Sequence, residues 1–455
     1  MVHVAVRNGA TVGWRSRVGR GVRRLVRGAF GALAMVCAGT LAADDTLAAD
    51  AADAAIEKFD LWDTRDGPHL RGAVAHQMRV YPEYGGDNFM GPGRLGPPFA
   101  QHDFDLLARL GANTVVLSHP GLFTERPPYG PERAAVANLD RLLAMIAKAD
   151  LFAVIAFRTG PGRSEFTFYP GERWFDPSRF NDSVWASQEA HAAWAEMWRY
   201  TAERYRDNPI VVGYQLMVEP NSNAVGSHAE NDALDLWDPE EFERLYGGTL
   251  YDWNRLYPGI VAAIRAVDRR TPILLGGNGY HDIDFLGQLR LTGDPRTVYL
   301  IHTYAPRKFT HQSRRGEREY PGMVDADWDG RPEWVDQRFI EGLFDPVRAF
   351  QRKNGIDHFA VTEFGTYRWV RGAPVYLDDM MATLEGLGFN HMAYRWAVSY
   401  RPYVTANNHQ NYRFGPDPDN VYEDLENPLI KVLTKYWQRN RLRPSTVRFT
   451  TSEAD

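Results

Sequence analysis

The sequence is almost without cysteine. Cys37 is the only one in 455 residues and falls inside the N-terminal segment, so the rest of the chain has no thiol for a disulfide or a cysteine-based metal site. It also lacks the small preceding residue expected of a lipoprotein site. The apolar run at residues 29–42 is too short to span a bilayer, which takes about 20 residues. No glycine-rich phosphate loop or nicotinamide fingerprint occurs. No two histidines stand at helical ligand spacing, and neither a metal nor a cofactor is expected. Positive charge is also short: 52 basic residues face 58 acidic ones, for a net charge of −6, which argues against nucleic acid as a partner. Internal repeats and an appended binding module are absent as well.

What basic charge there is concentrates at the start. Residues 1–42 hold seven arginines and no acid, followed by the short apolar run and the small-residue stretch Ala38-Gly39-Thr40-Leu41-Ala42. This is the layout of an export signal, with an uncleaved anchor as the alternative, and it predicts a secreted or periplasmic protein with no stable membrane span once the signal is cleaved. Arg23-Arg24 leaves twin-arginine export open. Removing those seven arginines from the 52 basic residues leaves 45 against 58 acids, a net charge of −13. The remaining composition, 44% hydrophobic and 24% charged, is that of a globular protein with a large core.

The stretch from Asn208 to Asn221 carries the central pattern, Ile210-Val211-Val212-Gly213-Tyr214-Gln215-Leu216 running into Glu219-Pro220. It is too short and too rich in β-branched residues for a helix and reads as a buried parallel strand ending in a carboxylate. The plain alternative for Glu219 is a strand-end glutamate paired with a neighbouring arginine. Phe359-Ala360-Val361-Thr362-Glu363 ends the same way, which suggests one shared face. Eight such runs recur: residues 71–76, 113–118, 151–157, 210–216, 273–277, 298–302, 359–363 and 392–396. Between them lie helical faces such as Val136, Leu139, Leu143 and Ile146, or Val335, Phe339, Leu343, Val347 and Phe350. Alternating strand and amphipathic helix predicts a parallel sheet, and eight units predict closure into an α/β (β/α)8 TIM barrel over residues 57–440; a doubly wound open sheet is the alternative. Residues 59–72 alternate and turn at Asp66-Gly67-Pro68, predicting an N-terminal β-hairpin that plugs the floor. The polar tail, 441–455, is expected to be poorly ordered.

The ordered set Glu219-Pro220, His302-x-Tyr304, Thr362-Glu363-Phe364-Gly365 and Trp396 resembles glycoside hydrolase family 5, the cellulase-like family, and its relatives among retaining (β/α)8-barrel glycosidases. The resemblance implies that Glu219 is the acid/base and Glu363 the nucleophile, with carboxylates about 5–5.5 Å apart. It implies that Tyr304 hydrogen-bonds the nucleophile, that His302 lines the adjacent sugar subsite and that Trp396 is the platform under the sugar ring. Their plain alternatives are a core tyrosine and barrel-top packing. His76, His119, Arg158 and Asn278 also fall at strand ends, where they could donate to sugar hydroxyls. The implied partner is a β-linked oligo- or polysaccharide or a glycoconjugate.

One departure from the family pattern bears on substrate. Val218 stands where the family has an asparagine that hydrogen-bonds the sugar 2-hydroxyl. Either another donor such as Asn221, Arg158 or His119 replaces it, or the substrate differs at carbon two. Ordinary cellulose oligomers are then expected to be poor substrates. A non-catalytic carbohydrate-binding barrel and a glycan-remodelling transglycosylase are the competing functions. Long loops after strands three, four and six carry Trp174, Trp237, Trp328 and Trp334, expected to wall a cleft. Pro306, Arg307, Lys308, His311, Arg314 and Arg315 form a basic stretch, read as a solvated loop or a contact for an acidic polysaccharide.

Overall fold

A computed structural model describes residues 55–84, 91, 93–225, 234–314, 316–400 and 408–450. The expected export signal lies outside them. Eight parallel strands close into a barrel: β1 (Arg71–His76), β2 (Thr114–Pro120), β3 (Phe152–Thr159), β4 (Val211–Gln215), β5 (Ile273–Gly276), β6 (Thr297–Thr303), β7 (Phe359–Phe364) and β8 (Asn390–Ala393). β8 completes the ring by pairing with β1, Arg71 opposite His391 and Ala73 opposite Ala393. The doubly wound alternative is therefore excluded.

Strand parity sets what faces inward. Val74, Val116, Val154, Ala156, Val212, Leu274, Val298, Leu300, Ala360 and Met392 fill the interior, while neighbours such as Val115, Leu117 and Ile155 pack outward against helices. Those helices are α1 (Gln101–Arg109), α2 (Arg133–Lys148), α3 (Gln188–Tyr205), α4 (Trp253–Arg265), α5 (Asp345–Asn354), α6 (Ala373–Gly386) and α7 (Pro428–Trp437). Leu139, Leu143 and Ile146 of α2 are buried as their spacing predicts. The second predicted face is divided: a short helix, Gln337–Leu343, stops at Phe344, and α5 starts anew with Pro346 in its first turn. Proline lacks the amide hydrogen that a continuous helix needs there. After β5 the chain makes only short turns, Asn278–His281 and Ile283–Gln288.

Two expectations about the floor are corrected. Residues 59–72 form no hairpin; Asp60–Trp62 is a single 3-10 turn. The reason is Trp62, which enters the barrel and donates its indole N–H to the Val212 carbonyl at 3.0 Å, so the chain coils around a plug instead of pairing with itself. The tail is ordered through Thr450. Ile56 N–H donates to Arg448 O at 2.9 Å and Thr450 N–H to Ile56 O at 3.0 Å. Leu442, Val447 and Phe449 pack against the inner cluster. Polar composition hid those three apolar side chains, which join Ile56 and Phe59 in covering the cluster around Trp62 from below.

Candidate active site

The carboxyl ends of the strands bring Glu219, Glu363 and His302 together. Glu363 is the fifth residue of β7, and Glu219 lies just past β4. The nearest oxygens of the two carboxylates and a ring nitrogen of His302 all lie within 4.8 Å of one another. His302 Nδ1 is 3.1 Å from Glu219 Oε1 and 3.5 Å from Glu363 Oε2. Its Nε2 is 3.0 Å from Thr362 Oγ1 and 3.3 Å from the Gln215 amide nitrogen. Nδ1 faces the carboxylates, to which it can donate. The Tyr304 hydroxyl donates to Glu363 Oε2 at 2.8 Å. His302 thus sits between the two carboxylates and, with its side chain 1% exposed, does not line a neighbouring subsite.

The backbone that carries Glu219 is held in an unusual state. Glu219 has φ of +52°, a left-handed conformation that costs a non-glycine residue about 1–2 kcal/mol. Arg163 offsets that cost: its guanidinium donates to the carbonyls of Val218 at 2.7 Å, Glu219 at 2.6 Å and Arg158 at 2.8 Å. Val218 N–H donates to Phe157 O at 2.8 Å. The Val218 side chain joins the apolar interior of the barrel. Desolvation, reinforced by the like charge of Arg158, pulls Arg163 down to about 9 against the opposing charges of Glu165 and Glu219.

The two carboxyls share their environment. Burial and the charge of Glu219 push Glu363 up to about 7, against the pull of His302 and Arg158. Burial also acts upward on Glu219, but the His302 hydrogen bond and the charges of His302 and Arg158 outweigh it and hold Glu219 below the usual glutamate range. Below neutrality the pair therefore retains one proton. By donor count Glu219, His302 and Glu363 could also hold a metal ion, as could Asp325, Asp327 and Glu333 on the loop after β6, where Asp325 is already paired with Lys308. At the first site, the Tyr304 and His302 hydrogen bonds to the carboxylates suit proton chemistry.

Other residues singled out from the sequence fall differently. Arg158, on the inward face of β3, lies within electrostatic reach of both glutamates. His76 ends β1 and receives the Tyr394 hydroxyl at Nδ1, 3.0 Å away. His119 has the outward parity of Val115 and Leu117; its Nε2 meets the Asn138 amide of α2 at 2.9 Å, away from the cleft. Asn221 is fully buried, and its amide donates to Thr167 O at 2.9 Å and to the Tyr280 hydroxyl at 3.2 Å, so it braces the loop. Asn278 is likewise tied to Ser222. Trp396 is not a platform. β8 ends at Ala393, strand alternation stops with it, and Trp396 turns outward to donate to Asp103 O of α1 at 2.8 Å beside Trp437 of α7.

The aromatic presented at the end of β8 is Tyr394, edge-on to Tyr304 with ring centroids 6.2 Å apart. Its signal was the inward parity of Met392, two residues earlier. Glu165, Arg163 and Phe168, brought in by the loop after β3, had no signal in local pattern. Of the loop tryptophans, Trp237 stacks on Tyr280 at 5.9 Å, whereas Trp334 is 58% exposed. Two cations of the basic stretch are paired, Lys308 with Asp325 and Arg314 with Asp419, and Arg315 lies outside the described residues.

Residues 90–400 match the model of the cellulase family, glycosyl hydrolase family 5. Endoglucanase C of Acetivibrio thermocellus is 26% identical over 240 residues, covering 50% of this chain and 59% of that protein. A beta-xylosidase of Phanerodontia chrysosporium is 25% identical over 232 residues, covering 48% of this chain and 40% of its own length. The chain thus spans less than two thirds of these relatives. Among solved structures, endoglucanase Cel5A from Thermotoga maritima superposes with a TM-score of 0.56 at 19% identity, over 83% of this chain and all of that one. With its closed eightfold barrel, and with the family model covering residues 90–400, the chain belongs to glycosyl hydrolase family 5.

Proposed function

We propose that this protein is a retaining glycoside hydrolase that cleaves a β-linked glycan through two glutamates. The observation that carries the reading is the pair of carboxyls at the ends of β4 and β7, Glu363 buried and Glu219 partly so, with nearest oxygens within 4.8 Å. That closeness suits a nucleophile and an acid/base across one bond, whereas inverting enzymes hold their carboxyls about 6.5–9.5 Å apart to admit a water. Glu219 donates a proton to the departing oxygen while Glu363 attacks the anomeric carbon, giving a covalent glycosyl intermediate. Glu219 then takes a proton from water, which hydrolyses the intermediate.

The retained proton must be on Glu219 when the bond breaks. Positive charge developing on the sugar stabilises ionised Glu363, as does the Tyr304 hydroxyl, and both favour moving the proton to Glu219. Glu219, with its side chain 14% exposed against 4% for Glu363, is the more open to the departing group. The named relatives, endoglucanases and a beta-xylosidase, support a β-linked glycan without choosing the sugar. Export directed by residues 1–42 belongs to the same proposal and is tested by sequencing the N-terminus of the secreted protein. No helix among the described residues is long and apolar enough to cross a membrane.

The deciding experiment is turnover of aryl β-glycosides by Glu363→Ala. Without a nucleophile the variant should lose about 10⁴-fold or more in kcat, and azide should restore slow cleavage to the α-glycosyl azide. Near wild-type rates in a folded Glu363→Ala protein would refute the assignment. Sugar-transfer products in the wild-type reaction would favour the transglycosylase reading.

A further inference from the structure

Val218 buries an isopropyl group where a sugar-facing amide would otherwise stand, and two of the three side chains able to replace that donor are spoken for. Asn221 donates to Thr167 and Tyr280, and His119 faces α2. Arg158 is different. It follows Val154 and Ala156 on the inward face of β3, is 7% exposed and acts electrostatically on both glutamates. Its Nε donates to Glu165, a carboxylate with no exposure, and its guanidinium carbon lies over the Phe168 ring, 3.4 Å from the centroid. Its two terminal nitrogens make no hydrogen bond to any described residue. Ion pair and ring together hold in place a fork whose remaining donors are unspent.

We infer that Arg158 is a specificity-determining residue that grips the hydroxyl on carbon two of the sugar being cleaved. This deepens the glycosidase reading and rests on it. Carbon two adjoins the anomeric carbon that Glu363 attacks, so a donor close to both glutamates is placed to reach its substituent. A guanidinium only donates, so it selects a group that accepts. The substrate class that follows is a β-glycan that keeps an acceptor on carbon two, such as the free 2-hydroxyl of gluco or xylo sugars, in preference to 2-deoxy sugars. Val218 thus marks a donor supplied from β3 rather than a changed sugar, which reverses the expectation that ordinary cellulose oligomers are poor substrates.

The test compares kcat/KM on 4-nitrophenyl β-cellobioside and β-xylobioside with their analogues lacking the 2-hydroxyl on the ring that bears the aryl group. Binding of the same pairs is measured by calorimetry in a Glu363→Gln background. The variants are Arg158→Lys and Arg158→Met paired with Glu165→Gln, the pairing chosen because Arg158→Met alone would bury an uncompensated carboxylate. A hydrogen bond from a charged group supports a discrimination of about 10- to 100-fold. Wild-type protein should show that preference for the parent glycoside, and the double variant should reduce it to about threefold or less. A general packing defect would lower both rates and leave their ratio unchanged, so an unchanged ratio in both variants overturns the inference. Absence of turnover by wild-type protein, with the binding preference still abolished in the variants, would sink the glycosidase reading while supporting the contact of Arg158 with the 2-hydroxyl of a bound sugar. No binding preference in the Glu363→Gln parent would overturn it.

Discussion

Tyr304 and His302 decide where one proton resides, and pH should report on it. The pair Glu219–Glu363 is active when singly protonated, so kcat/KM should follow a bell. Its alkaline limb falls near pH 7, where Glu363 is pushed by burial, and its acid limb lies below the usual glutamate value of 4.5, where His302 holds Glu219 down. The Tyr304 hydroxyl favours ionised Glu363, so Tyr304→Phe should raise the affinity of Glu363 for the proton. The expected outcome is a kcat lower by about 10- to 100-fold and an alkaline limb moved upward, read from pH–rate profiles of the two proteins. A loss of rate with both limbs unmoved would show that Tyr304 only packs. At this scale the sequence was readable where chemistry ends a strand: two apolar runs each delivered a glutamate to one face. It was unreadable where a side chain's direction depends on parity or on a distant loop, as with His119, Asn221 and the Arg163 that clasps the turn at Glu219.

Between elements, the seam that closes the barrel carries its own ion pairs. Arg71 of β1 donates to Glu385 of α6 at 2.5 Å and 2.9 Å, and His391 of β8 meets the same carboxylate at 3.0 Å. Burial acts upward on Glu385, but these partners dominate and bring it down to about 2. A carboxylate depressed in the folded state stabilises it above the unfolded pKa and ceases to do so as pH falls through the folded one. The contribution of Glu385 is thus complete above about pH 4.5 and lost on the way to pH 2. Glu385→Gln should cost about 1–2 kcal/mol at pH 7, at the lower end for a charge pair because its outer side is solvated, and the gap to wild type in urea melts should close below pH 3. Trp396 gives the complementary test. Wedged between α1 and α7, Trp396→Ala should lose about 3–5 kcal/mol of stability, while KM at a temperature where the variant stays folded changes little. A large rise in KM with unchanged stability would restore the platform role. Strand number and order were legible because β-branched runs are short and punctuated. The end of β8 was not, because the alternation that places Tyr394 inward gives no sign of stopping before Trp396.

For the molecule as a whole, the barrel was visible in eight repeated units, whereas its floor was not. Trp62 and Phe449 come from opposite ends of the described chain and meet only through tertiary structure, so neither hairpin spacing nor tail polarity could have revealed them. Deleting residues 441–455 should expose the inner cluster and cost more than about 3 kcal/mol in denaturant melts, where a loosely attached tail would cost nothing. The bridge between Ile56 and Phe449 has a geometric consequence for the working protein. Both ends of the folded unit leave from one point beneath the barrel, on the pole opposite Glu219 and Glu363. A tether fused to either end, or a joint between them in a circularly permuted chain, would hang below the molecule like the stem of a cup, leaving the rim unobstructed.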